Sequence, residues 1–304
     1  MLHLLNGDAS AAVFPDVLPG ERAVWRDILM EGPAGADAAT RAAWLAPRLG
    51  VTADVYARRW REAEAMLARA GEHDEVVLWF EQDLFCATNV WFVLDRLDAA
   101  HIALVFPPVD GDRHGLSALD ARQFVALFER RQRLASGDIA QARALWRAYA
   151  APDPAALARL DPLLPFARVA IRLHCGRFPS LTYGLDEVEH ETLTILDRAL
   201  GFAALFRSVT TSGRLSALGM GDVQFAAMLR DLAAGATPLI TIEHRDQPFG
   251  RWWMSRAPAA TDVLAGRIDR LALLPLDRWL GGVHLRPGAP LWRWDAERLT
   301  LVPG

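Results

Sequence analysis

The 304-residue chain carries 33 basic residues, all of them arginine, against 37 acids, for a formal net charge of −4. Without lysine it has no Schiff-base, PLP, P-loop or kinase-type lysine, so PLP chemistry and a P-loop nucleotide site are excluded. Hydrophobic residues make up 52% of the chain, yet no run of about 18 apolar residues suggests a membrane span; the two cysteines, Cys86 and Cys175, have no pairing motif and read as ordinary buried thiols.

The chain opens with Leu2–Leu5, a short apolar run that Asn6-Gly7-Asp8 ends at once. With no basic segment ahead of it, this reads as a buried strand rather than a signal peptide, and a cytoplasmic protein is expected. Residues 22–26 offer a second strand. Residues 38–49 and 52–70 read as helices, the second with an apolar stripe of Val55, Trp60, Met66 and Leu67 and with Thr52 as its N-cap. Residues 75–80 form the clearest strand, followed by Glu81-Gln82-Asp83 and a helix over 84–97, with Asp83 placed to cap it. Ile102–Phe106 is the next strand, closed by Pro107-Pro108. Alternating strands and helices, with strands apolar on both faces, predict a parallel sheet in an α/β domain over residues 1–112.

Residues 117–175 read as helical, giving a basic extension over 113–177, and Arg177–Gly184 reads as a linker. The C-terminal part, 184–304, has helices at 186–200 and 222–233, then a strand–turn–strand ribbon at 238–255. That is winged-helix order in an α+β unit. A short helix at 258–269 and a closing strand at 280–285 complete it. Charge divides unevenly. Residues 1–112 hold 9 Arg against 18 acids, residues 113–177 hold 11 against 5, and residues 178–304 hold 13 against 14. A basic middle beside an acidic front suits an intramolecular match or an anion-binding surface. The near-neutral C-terminal unit lacks the positive footprint that DNA binding needs.

Several motifs are shared with one bacterial family. His3-Leu4-Leu5-Asn6-Gly7-Asp8, Trp25-Arg26 with Glu31-Gly32-Pro33, Leu78-Trp79-Phe80-Glu81-Gln82-Asp83-Leu84, Leu164-Pro165-Phe166, Phe178-Pro179-Ser180 and Gly184-Leu185 together resemble domain of unknown function 1835. The C-terminal part resembles the uncharacterised unit that accompanies that family. Gln82 departs from the family pattern, which has a histidine there. The resemblance implies no activity.

A candidate site follows from where open α/β sheets bind ligands, beyond the carboxyl ends of their strands. The first strand end supplies Asn6, Gly7 and Asp8, the second Arg26 and Glu31, the third Glu81 and Asp83, and the fourth Asp110, Asp112 and His114. Clustered carboxylates repel unless a cation, an arginine or shared protons intervene. Asp8, Glu81 and Asp83 are therefore expected to hold Mg²⁺ or Mn²⁺. Asn6, Gly7, Arg26 and Glu31 would bind an anionic, phosphate-bearing or nucleotide small molecule, while Asp8, Glu81 and His114 would carry catalysis in hydrolysis or phosphoryl transfer.

Simpler roles compete with each assignment. Asp8 and Asp83 would cap helices, Glu31 would pair with Arg26, and Asp110–His114 would be a solvated loop. The alternative function is a non-enzymatic regulator that uses the winged-helix-like part to bind DNA or a protein. No membrane partner is expected.

Overall fold

A computed structural model describes residues 1–107, 115–162 and 165–304, with only the backbone described for Pro165 and Arg214. The chain divides into two compact units. One comprises residues 1–150 and 160–168, the other 151–159 and 169–304.

The first unit alternates strand and helix: β1 (Leu2–Asn6), α1 (Asp8–Val13), β2 (Glu21–Trp25), α2 (Ala38–Leu49), α3 (Ala53–Arg69), β3 (Val76–Trp79), α4 (Leu84–Arg96), β4 (Ile102–Val105), α5 (Ala121–Glu129), β5 (Gln132–Arg133) and α6 (Ser136–Tyr149). The five strands lie in the order β2-β1-β3-β4-β5. The first four are parallel, and β5 closes the sheet antiparallel to β4. The α/β architecture expected from the alternation is therefore present. The stretch read as helical throughout is interrupted by β5, a strand too short and polar to show in its own pattern.

Side chains alternate across the strands, so neighbouring positions in register share a face. Leu5, Trp79 and Val105 sit side by side in the ladder and join Phe14, Phe124 and Leu127 in one cluster. His3 lies on that face, fully buried, and accepts the Trp79 indole N–H at 3.0 Å. Burial holds its ring below the usual histidine range. A second aromatic group links Trp25 to Trp60 and Phe92, and Phe92 to Trp146. The basic helix α6 thus shares a core with α4 and β2.

The second unit contains α7 (Pro154–Ala158) and the C-terminal part of α8 (Pro165–Cys175). It continues with α9 (Glu187–Ile195), β6 (Leu200–Gly201), α10 (Phe202–Thr210), α11 (Asp222–Leu232), β7 (Ile240–Glu243), β8 (Trp253–Arg256), α12 (Pro258–Leu264) and α13 (Arg270–Leu273). The hairpins β9 (Arg278–Leu280)–β10 (Val283–Leu285) and β11 (Trp292–Asp295)–β12 (Thr300–Pro303) end it. Helices α9, α10 and α11 with an antiparallel sheet ordered β6-β8-β7 make the winged-helix-like arrangement. Helix α10 is not evident in the sequence reading, because the apolar run Phe202–Phe206 lacks polar punctuation.

Residues 177–184, read as a linker, lie within the second unit and pair with its C-terminal hairpin, although Leu181 and Thr182 remain exposed. Phe178 is buried, Ser180 bridges to Trp294, and Leu181 N–H donates to the Trp294 carbonyl at 3.1 Å. In this unit, the capping box of α9 is also an ionic cluster. Arg278 donates to Asp186 at 2.5 Å and to Glu189 at 2.8 Å, and Arg270 reaches Glu189 at 3.5 Å. Among the described residues, no helix is long and apolar enough to cross a membrane.

Candidate functional site

Because β1 to β4 are parallel, their carboxyl ends share one edge of the sheet. The chain leaves β1 for β2 on one side and then crosses to β3 on the other. Loops diverge at such a switch point and leave a crevice suited to ligands. Asn6-Gly7-Asp8 and Phe80-Glu81-Gln82-Asp83 follow the two strands that flank it. Gly7 is the N-cap of α1 with φ 92° and ψ 155°, and a Cβ there would meet no atom within 4 Å. The backbone angle, not crowding, calls for glycine.

At the end of β3, Asp83 adopts extended backbone and accepts the Cys86 N–H at 2.7 Å, as an N-cap should. Glu81 Oε1 accepts the Leu116 N–H at 2.8 Å, and a Cβ on Gly115 would collide with that carboxylate. These bonds turn both acids toward Cys86. One ligand atom from each of Glu81, Asp83 and Cys86 lies within 4.8 Å of the other two. Asn6 Nδ2 donates to Cys86 Sγ at 3.0 Å, and Asn89 Nδ2 donates to Asn6 Oδ1 at 3.0 Å. Asn89 also accepts the Leu29 N–H at 3.4 Å. Burial, reinforced by the charges of Asp83 and Glu81, pushes the Cys86 thiol well above its usual range. Cys86 is thus a neutral thiol, and the cluster offers a hard cation its carboxylate oxygens instead.

Asp8 belongs to another group. It is the first residue of α1 rather than its cap, and its carboxylate accepts Arg26 Nε at 2.8 and 3.0 Å. That hydrogen bond, helped by the charges of Arg26 and Arg59, holds the Asp8 carboxyl below its usual range. Both side chains are more than half exposed, at 52% for Arg26 and 71% for Asp8. The acids expected to act together are thus brought together in part: Glu81 and Asp83 converge, while Asp8 pairs with the arginine assigned to the ligand. The Glu31 carbonyl, at the turn after β2, accepts from Arg41 at 3.3 Å. Gln82 Nε2 donates to the Pro107 carbonyl at 3.0 Å and ties the β3 loop to the end of β4. Asp110, Asp112 and His114 lie outside the described residues.

Two members of the site escape the sequence reading. Asn89 is buried on an almost wholly apolar helix, and that isolation was the available signal. Arg41 is fully buried, donates to Asp27 and to the Tyr56 hydroxyl, and caps the carbonyls of Ile28, Glu31 and Pro33. Its sequence neighbourhood, an ordinary amphipathic helix, hides that role.

Compared with protein-family models, with curated proteins and with solved structures, the chain matches none. The functional reading rests on these residues.

Proposed function

We propose that the N-terminal unit binds a phosphate-bearing or nucleotide small molecule at the carboxyl edge of its sheet and acts on it by metal-assisted hydrolysis or phosphoryl transfer. Glu81 and Asp83 would hold Mg²⁺ or Mn²⁺, and Arg26 would take the anionic group. The observation that carries this reading is the approach of Glu81, Asp83 and Cys86 within 4.8 Å at the switch point between β1 and β3. Two carboxylates that close are stabilised by a divalent cation, which also neutralises an incoming phosphate. A protein of the cytoplasm, where such metabolites are abundant, is the setting this reading implies.

Titration of Mn²⁺ into the full chain, followed by the loss of its free paramagnetic signal, tests the proposal. Asp83→Asn keeps a capping acceptor but removes the charge, and Glu81→Gln does the same at the other oxygen donor. Each is expected to weaken Mn²⁺ binding at least about ten-fold. Unchanged binding in both variants would overturn the metal assignment.

The complete winged-helix element order favours a second reading, a regulator that binds DNA or protein through that unit. The exposed charges of α11 are Asp222, Arg230 and Asp231, which repel rather than attract phosphate on balance. Protein contact through the ribbon, where Trp253 is 51% exposed, is the better form of this reading. Salt-sensitive duplex binding abolished by Arg251→Ala with Arg256→Ala would point to DNA instead.

A further inference from the structure

A pocket of about 230 Å³ opens beside edge strand β2, between the end of α2 and helix α3. Drug-sized sites occupy roughly 300–1,000 Å³, so this one suits a body of roughly ten non-hydrogen atoms. Val24, Leu49, Val51, Trp60, Ala63 and Met66 supply apolar walls. Trp60 is 7% exposed, held by Trp25 and Phe92 behind it and by the Arg41 guanidinium 5.3 Å from its ring centre. The apolar surface is therefore pre-formed.

The charged lining comprises Arg26, Asp27, Arg59 and Glu62. Two of these are already answered. Arg26 is engaged by Asp8. Asp27 is met by Arg41 at 3.2 Å and by the Tyr56 hydroxyl at 2.8 Å. The other two differ. Among the described residues, neither Arg59 nor Glu62 forms a hydrogen bond or an ion pair, and both side chains are exposed at the rim. They stand three residues apart on α3, on the same side of the helix. Arg59 acts on the Asp8 carboxylate through its charge alone, so the rim presents one cation and one anion without hydrogen-bonded partners above an apolar cup.

We propose that this pocket binds a zwitterionic α-amino acid with an apolar side chain. Its carboxylate meets Arg59, its ammonium meets Glu62, and its side chain lies against Trp60 and Met66. A net-neutral ligand carrying both charges matches a lining whose charges balance, whereas a simple anion or amine leaves one rim charge unanswered. Leucine, methionine and phenylalanine fall in the size range the cavity allows. The pocket borders Arg26, which the proposed function assigns to an anionic group, but binding at Arg59 and Glu62 needs neither Glu81, Asp83 nor a metal.

Calorimetric titration of the full chain with L-phenylalanine, in buffer containing EDTA, tests the proposal. The expected dissociation constant is on the order of 1 mM or tighter. Two truncated analogues, 3-phenylpropanoate and 2-phenylethylamine, are each expected to bind at least about ten-fold more weakly. Arg59→Ala and Glu62→Ala change exposed helical positions and leave the core intact, and each is expected to weaken L-phenylalanine binding about ten-fold or more. In Glu62→Ala the preference for L-phenylalanine over 3-phenylpropanoate should disappear, because the group that recognises the ammonium is gone. Ala63→Trp, which fills the cup, should abolish binding. No saturable binding to the wild-type chain up to about 10 mM overturns the proposal. So does a preference that survives unchanged in Glu62→Ala. With EDTA present, failure of the metal site at Glu81 and Asp83 leaves both outcomes readable.

Discussion

Arg41 and Asp27 form an ion pair at 3.2 Å inside the N-terminal unit, with the Arg41 side chain fully shielded and that of Asp27 at 9% exposure. The pair ties α2 to the segment that follows β2, because the same guanidinium also bonds three carbonyls between residues 28 and 33. Burial works against the charged guanidinium, but Asp27, Tyr56 and Tyr149 together outweigh burial and hold it even more firmly protonated than usual. Removing one partner of a buried pair leaves an uncompensated charge, at a cost of about 3–5 kcal/mol.

Arg41→Ala is therefore expected to lower stability by about 3–5 kcal/mol in urea unfolding. Arg41→Lys should also be destabilising, because an ammonium cannot reproduce the fork that serves five acceptors. A loss below about 1 kcal/mol for the alanine variant would show that the segment is held by its other contacts.

The cluster at the start of α9 should respond unequally to its two acids. Burial, then the Glu189 charge, raises the Asp186 carboxyl from 3.8 to about 6. Burial would also raise Glu189, but Arg270 and Arg278 more than reverse it, and its carboxyl is lowered. Glu189→Gln leaves the buried Arg270 and the partly buried Arg278 short of charge and should cost about 3–5 kcal/mol. Asp186→Asn keeps a good N-cap acceptor and should cost less, about 1 kcal/mol.

The same shift makes a pH prediction. Protonated Asp186 contributes stability that is fully present below pH 3.8 and lost as the pH rises through about 6. Relative to Asp186→Asn, the wild-type chain should lose stability between about pH 4 and pH 7. Parallel stability profiles for the two proteins across that window would contradict the shift.

Cys86 and Cys175 are both buried thiols, and burial pushes Cys175 up to about 12. Neither should react with a thiol reagent at pH 8 in the native state, and both should react once urea unfolds the chain. Rapid native labelling of Cys86 would mean that the junction of β3 and α4 opens readily.

Asp8 and Arg26 offer a contrast to the buried pairs. Both are largely exposed, so Asp8→Asn should change stability by less than about 1 kcal/mol. If Asp8 nevertheless lowers Mn²⁺ affinity when replaced, it takes part in the cation site from the ligand side, and the group of two acids becomes a group of three.

The alternation of short apolar strands with helices made the α/β fold legible, since period-2 and period-3.6 patterns are properties of neighbouring residues. The same local logic placed Asn6-Gly7-Asp8, Arg26 and Glu81–Asp83 at strand ends, and Asp83 at a helix start. The ribbon of the winged-helix-like unit was equally plain, because its strands are bounded by polar turns. Local patterns carry no information on which strand ends adjoin. Glu81, Asp83 and Cys86 meet within one six-residue stretch, but only the strand order β2-β1-β3-β4 brings Asn6 to Cys86 and sets Asp8 against Arg26. Long-range packing likewise decided that Arg41 and Asn89 are buried and hydrogen-bonded, and that residues 179–181 pair with the C-terminal hairpin at Trp294. Burial cannot be read from a polar residue's type, because what makes it affordable is a set of partners contributed by distant segments.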